Sequence, residues 1–220
     1  MELQQDTIER VIRQILGEMN PQTTPGGAQD PFLVPVGVSN RHIHLSRADM
    51  EILFGPGAEL HRMKAMKQPG QYAAEETVTL KGPKGSLSKV RVLGPVRAET
   101  QIEISVADGF TLGLRAPLRM SGQLDDTPGL EIIGPQGRVQ KQNGVIVALR
   151  HIHMTPATAA RLGLRNGQEV DVEITGARGG ILRHVAVRAA EASALEMHID
   201  VEEANALGLK NDDLVRIRPL

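Results

Sequence analysis

The 220-residue chain has no cysteine and no tryptophan, and only one tyrosine and three phenylalanines. Without cysteine there is neither a disulfide nor a thiolate metal site, so any transition metal has to be held by imidazole and carboxylate. With so few aromatic rings the core falls to Val, Ile, Leu, Ala and Met, and nucleobases find few surfaces on which to stack. An excess of charge is missing too: 25 Lys and Arg against 26 Asp and Glu leave a formal charge of −1, too little to attract a nucleic acid or an anionic membrane. No apolar run approaches the roughly 20 residues of a membrane span, and the N-terminus lacks the basic, then apolar, pattern of a secretory signal. A cytoplasmic protein that binds neither nucleic acid nor membrane is expected.

What is present begins with a segment unlike the rest. Ile8, Val11, Ile12, Ile15, Leu16 and Met19 recur at helical spacing, which predicts an amphipathic helix within residues 1–19, with Asp6 and Glu9 as its capping box. Pro21, Pro25, Gly26 and Gly27 then make residues 20–30 a flexible linker. The apolar stripe needs a partner, either the chain's own body or a second protein.

The body carries a repeat. Arg41-His42-Ile43-His44-Leu45-Ser46 returns as Arg150-His151-Ile152-His153-Met154-Thr155, and the stretch opening Glu103-Ile104-Ser105 returns in register as His198-Ile199-Asp200. In a strand, residues two apart point to one side, so each His-x-His aims two imidazoles into the same space. A third side chain completes each set: Glu103 beside His42 and His44, and His198 beside His151 and His153. Three ligands drawn from His and carboxylate, with a position left open, are the pattern of catalytic zinc. An isolated His-x-His is weak evidence for a metal, but duplication with the third ligand in register is much stronger. His61 and His184 fall outside the repeat and are taken as ordinary polar residues.

Two residues beyond the last ligand of each motif stands a candidate helix N-cap: Ser46 after His44, Ser105 after Glu103, Thr155 after His153 and Asp200 after His198. Asp49, Asp108 and Glu203 extend three of them to capping boxes, and Pro156 supports the fourth. Gly163 and Gly208 are placed as left-handed residues ending two of the helices. Elsewhere short apolar runs alternate with Gly and Pro turns, giving candidate strands at residues 32–38, 77–80, 88–93, 100–106, 130–133, 145–149, 168–174, 182–187 and 214–217. The expected fold is mainly β: two small β-barrels with short capping helices, one site each, preceded by the amphipathic N-terminal helix.

These residues resemble a known family. The runs Val36-Gly37-Val38-Ser39-Asn40-Arg41-His42-Ile43-His44-Leu45, Arg97-Ala98-Glu99-Thr100-Gln101-Ile102-Glu103 and Arg150-His151-Ile152-His153-Met154, in that order, are similar to the motifs of the PduL phosphate propanoyltransferases of bacterial microcompartments. The resemblance implies two Zn(2+) per chain, one on His42, His44 and Glu103 and one on His151, His153 and His198. It implies that Arg97 binds phosphate, with Ser121 in a neighbouring polar loop, and that residues 31–40 join residues 149–220 in one barrel while 41–148 form the other. It further implies that residues 1–19 act as an encapsulation peptide, engaging shell or cargo proteins in the lumen of a propanediol-degrading microcompartment. Phe110 is the candidate contact for coenzyme A, with the Gly-rich loops or basic residues such as Arg115 and Lys141 as alternatives, and a homodimer is expected.

The expected reaction is acyl-CoA plus phosphate giving acyl phosphate plus CoA, with propanoyl-CoA and acetyl-CoA as candidate substrates. A two-metal hydrolase of esters or thioesters would use the same ligands, and so would a non-catalytic zinc-binding double-barrel module.

Overall fold

The computed structural model describes residues 30–218. The predicted N-terminal helix and most of its linker lie outside the described residues. Within them, fifteen strands and four short helices follow one another. Among the described residues no helix is long and apolar enough to cross a membrane.

The strands form two sheets. One is a closed ring of β1 (Leu33–Ser39), β14 (Glu196–Asp200), β11 (His151–Met154), β13 (Gly180–Ala189), β12 (Glu169–Ile174) and β15 (Leu214–Arg218). The other is a nine-stranded sheet. Its central path is β10 (Val145–Ala148), β6 (Gln101–Glu103), β2 (His42–His44), β5 (Ser86–Gly94), β4 (Tyr72–Lys81) and β8 (Glu131–Ile133). The strands β7 (Leu118–Arg119) and β9 (Arg138–Gln140) end the path, and β3 (Arg62–Ala65) pairs with β4.

The sequence repeat reappears as a repeated ladder. β2 runs antiparallel to β6 and parallel to β5, as β11 runs antiparallel to β14 and parallel to β13. β10 adds to β6 in parallel, as β1 adds to β14. β1 precedes β2 in the chain yet serves the other half, and β10 precedes β11 yet serves the first half. The symmetry fails at one junction: β1 pairs with β15 and closes its ring, whereas β10 and β8 do not pair. Of the two expected barrels, one therefore closes and removes its edges, while the other is a half-barrel.

Each sheet has its own apolar core, and the ligand motifs are built on its back. Ile43 and Ile102 are buried in one core, Ile152 and Met197 in the other. Since alternate side chains leave a strand on opposite faces, burying these central residues turns His42, His44, Gln101 and Glu103 the other way, and likewise His151, His153, Glu196 and His198.

The helices stop the ligand strands. In α1 (Arg47–Phe54), α2 (Val106–Leu112), α3 (Pro156–Arg161) and α4 (Val201–Leu207) the N-cap side chains of Ser46, Ser105, Thr155 and Asp200 accept from the backbone N–H three residues on. Asp108 and Glu203 complete reciprocal boxes. Asp49 does not: its carboxylate turns inward to accept from Thr100 and from Lys141 at 3.0 Å. The arginine heading each motif also finds a role, because Arg41 grips Asp108 at 2.7 Å and Arg150 grips Glu203 at 2.7 Å. Each ligand strand is thereby tied to the helix that follows the third ligand. Gly163 and Gly208 are left-handed, at φ 69° and 67°.

Candidate active site

Both ligand sets arise from one cross-strand pattern. The β2/β6 register places His42 opposite Glu103 and His44 opposite Gln101; the β11/β14 register places His151 opposite His198 and His153 opposite Glu196. Ligand atoms of His42, His44 and Glu103 all lie within 4.8 Å of one another, as do those of His151, His153 and His198. In the second set the Nε2 atoms of His151 and His153 are 3.0 Å apart; in the first, His42 Nε2 lies 3.4 Å from Glu103 Oε2.

Hydrogen bonding leaves nitrogen lone pairs directed at these spaces. His42 Nδ1 donates to the Asn40 carbonyl at 2.8 Å, and His151 Nδ1 donates to the Leu149 carbonyl at 2.7 Å. In each case Nε2 keeps its lone pair, the arrangement by which an outer hydrogen bond orients a metal-binding imidazole. His44 Nδ1 is buried without any hydrogen-bond partner. An orphaned polar atom costs about 1–3 kcal/mol when nothing meets it, and ligation of a cation through Nδ1 would satisfy it.

Protonation agrees with ligation. Burial, reinforced by the neighbouring His42, pushes His44 down to about 2; burial likewise pushes His151 down to about 4 and His153 to about 3. These imidazoles are neutral at pH 7, as metal binding requires. For His42 burial opposes the charge, but Glu103 prevails and raises it; Glu103, resisting the same burial, is held far below the ordinary carboxylate range by the His42 charge. The residues present fit two metal ions.

Both sets line a single cleft of about 470 Å3, together with Arg97, Ser121 and Arg188. Arg97 is half-buried, anchored by its backbone N–H to the Leu45 carbonyl at 2.9 Å, and its Nη1 donates to Ser121 Oγ at 3.1 Å. Burial pulls its pKa below the ordinary guanidinium value, without discharging it at neutral pH. Phe110 is elsewhere: on α2, 78% exposed, and not among the residues lining the cleft. Arg115 and Lys141 do not line it either, Lys141 being engaged with Asp49.

Arg188, Gln101 and Glu196 also stand at the site, where no sequence motif had pointed. Arg188 lies opposite His153 in the β11/β13 register. Gln101 donates to Glu103 and Ser121 at 2.6 and 2.9 Å, and Glu196 accepts from His198 at 2.8 Å. The signal for the last two was available, since each stands two residues before a third ligand in matching places of the repeat.

Three-residue sets opening on a cleft would leave a bound ion a position for water or substrate, the pattern of catalytic rather than structural metal sites. Comparison with known proteins gives the class of enzyme. The family described as Phosphate propanoyltransferase matches residues 35–210. A phosphate propanoyltransferase of Rhodopseudomonas palustris is 74% identical, covering 99% of both chains. That of Rhodobacter capsulatus is 66% identical over 96% of this chain and 98% of its own, and that of Salmonella typhimurium 50% identical over 95% of each. The chain belongs to the phosphate propanoyltransferase family and is an acyltransferase.

Proposed function

We propose that the cleft exchanges inorganic phosphate for coenzyme A on propanoyl-CoA, and on acetyl-CoA as a second substrate, with zinc at both ligand sets. The observation that carries this reading is that both sets, Arg97 and Ser121 line the same cleft. His42, His44 and Glu103 would hold one ion, and His151, His153 and His198 the other. Zinc bound there supplies Lewis-acid charge against the carbonyl oxygen and the departing sulfur.

The chain's own residues do the rest. Arg97 offers a planar fork that matches two phosphate oxygens, and Ser121 steadies the fork at 3.1 Å. A phosphate oxygen attacks the thioester carbonyl carbon; the carbon–sulfur bond breaks, and CoA thiolate leaves to take a proton from solvent. Arg97 faces the negative charge that gathers on this path, the setting in which fixed charge lowers a barrier most. With no cysteine in the chain no acyl-thiol enzyme can form, and direct attack by phosphate is the route proposed. Phe110, outside the cleft, is proposed for the nucleotide end of coenzyme A, since an exposed ring can stack a base. Residues 1–19 are proposed to direct the enzyme to a microcompartment lumen; the apolar spacing of residues 8–19 supports it.

The test measures CoA thiol released from propanoyl-CoA with and without phosphate, alongside zinc analysis of the same sample. Release that requires phosphate, with two zinc ions per chain, is expected. Release without phosphate would make the protein a hydrolase, and zinc without any release would make it a binding module.

A further inference from the structure

The third ligand of each set has a polar neighbour on its own strand that the reaction above does not use. Gln101 stands two residues before Glu103 on β6, and Glu196 two residues before His198 on β14. Each shares its ligand's face, opposite the second histidine of the motif. Each also bonds to that ligand: Gln101 Nε2 donates to Glu103 Oε1 at 2.6 Å, and Glu196 Oε2 accepts from His198 Nε2 at 2.8 Å.

The polarity of the two pairs is exchanged. Where the ligand is a carboxylate, which only accepts, its neighbour is an amide with N–H groups to give; where the ligand is an imidazole with one N–H to give, its neighbour is a carboxylate. A glutamate at Gln101 would set two acceptors against each other. The substitution of Glu by His between the halves is thus matched, two residues upstream, by the substitution of Gln by Glu.

The neighbours are themselves held in place. Gln101 Oε1 accepts from the Gly122 backbone N–H at 2.7 Å. Glu196 Oε2 accepts from Gln68 Nε2 at 3.2 Å, and Oε1 lies 3.3 Å from Lys67 Nζ. Gln68 is 3% exposed and is locked to the Ala194 backbone by bonds of 3.1 and 3.2 Å. The backbone leaves room for this pair: a Cβ on Gly37, which faces His198 in the β1/β14 register, would lie 2.7 Å from Glu196 Oε1 and 3.0 Å from His198 Cδ2.

We infer that Gln101 and Glu196 are matched positioning residues, each fixing the orientation of the third ligand of its set. Glu196 also fixes the tautomer of His198, with the proton on Nε2 and the lone pair on Nδ1. This deepens the metal reading above and rests on it. Outer partners of this kind orient a metal ligand and raise its basicity, and losing one costs about 10–100-fold in metal affinity.

The experiment has two readouts on the full-length protein. Zinc affinity at the two positions is measured by competition with a chromophoric chelator, for wild type, Glu196→Ala, Glu196→Gln and Gln101→Glu. The tautomer of His198 is read by nitrogen-15 NMR of the metal-free protein. Glu196→Ala should weaken one position by about 10–100-fold, leave the other unchanged, and remove the single Nε2–H tautomer. Glu196→Gln, which keeps an acceptor of nearly the same size, should partly rescue both readouts, and it serves alone if the alanine variant does not fold. Gln101→Glu should weaken the other position instead. Wild-type affinities in every variant, or equal losses at both positions, would overturn the inference, as would a wild-type His198 protonated on Nδ1. Wild type that takes up no zinc would sink the metal reading, and the tautomer would still decide the role of Glu196.

Discussion

Replacing Arg97 with alanine removes one cation from the cleft and leaves all six ligand side chains in place. The main chain of Arg97 is fixed by its N–H bond to the Leu45 carbonyl at 2.9 Å and the guanidinium by its bond to Ser121 at 3.1 Å, so part of the cost of ordering the side chain is met before phosphate binds. A hydrogen bond to a charged group contributes about 1.5–3 kcal/mol. Two such bonds to phosphate from a half-buried arginine, partly screened by the open cleft, amount to about 3 kcal/mol. At 1.36 kcal/mol per factor of ten, kcat/KM for phosphate should fall by about a hundredfold. Arg97→Lys keeps the charge and loses the fork, so a loss of about tenfold is expected. The assay is the initial rate of CoA release at varied phosphate and saturating propanoyl-CoA, with zinc measured on each sample. The KM for propanoyl-CoA should move by no more than about twofold, since the interaction removed belongs to phosphate. An unchanged phosphate dependence would refute the role given to Arg97, and loss of zinc would show that the arginine supports the metal set instead.

Further perturbations separate the parts. His151→Ala should abolish activity and lower the bound zinc from two ions per chain to one; full activity or full zinc would contradict the ligand assignment. Gly37→Ala forces a methyl to within 2.7 Å of Glu196 Oε1, and overpacking of this kind costs about 1–3 kcal/mol, to be read as a lower melting temperature with weaker zinc binding at one position. Asp49 is buried, which disfavours its charge, but bonds from Thr100 and Lys141 outweigh burial and hold its pKa below the ordinary carboxylate value. Its contribution to stability is therefore complete above the unfolded value of about 3.9 and is lost as pH falls toward the folded one. The gap in melting temperature between wild type and Asp49→Asn should be full at pH 6 and shrink below about pH 4; a gap independent of pH would refute the account. Deleting residues 1–20 should leave turnover of free substrate largely unchanged, and a dead truncated enzyme would rule out a tethered targeting segment.

Most of the site could be read before the fold was known, because its information is local. Alternation along a strand dictates that His42 and His44 share a face, and it holds wherever the strand lies. Cap residues at Ser46, Ser105, Thr155 and Asp200 likewise act over three positions, and all four helices begin where those caps stand. Asp49 shows where such reasoning ends. Its box was sound as local chemistry, but Lys141, far along the chain, offered its carboxylate a charged partner in a buried place.

The sequence by itself therefore determined the two triplets that could hold a metal, the helices that follow them and the apolar strand faces, each a matter of spacing along a few residues. By residue pattern alone the sequence left open, and the tertiary structure decided, that β1 and β10 each complete the opposite half, that one ring closes while the other sheet stays open, and that both triplets face one cleft beside Arg97 and Arg188. These outcomes depend on which strand edges meet across long stretches of chain. Backbone hydrogen bonding makes any two edges compatible, so the choice falls to packing of whole sheets rather than to a pattern within one strand.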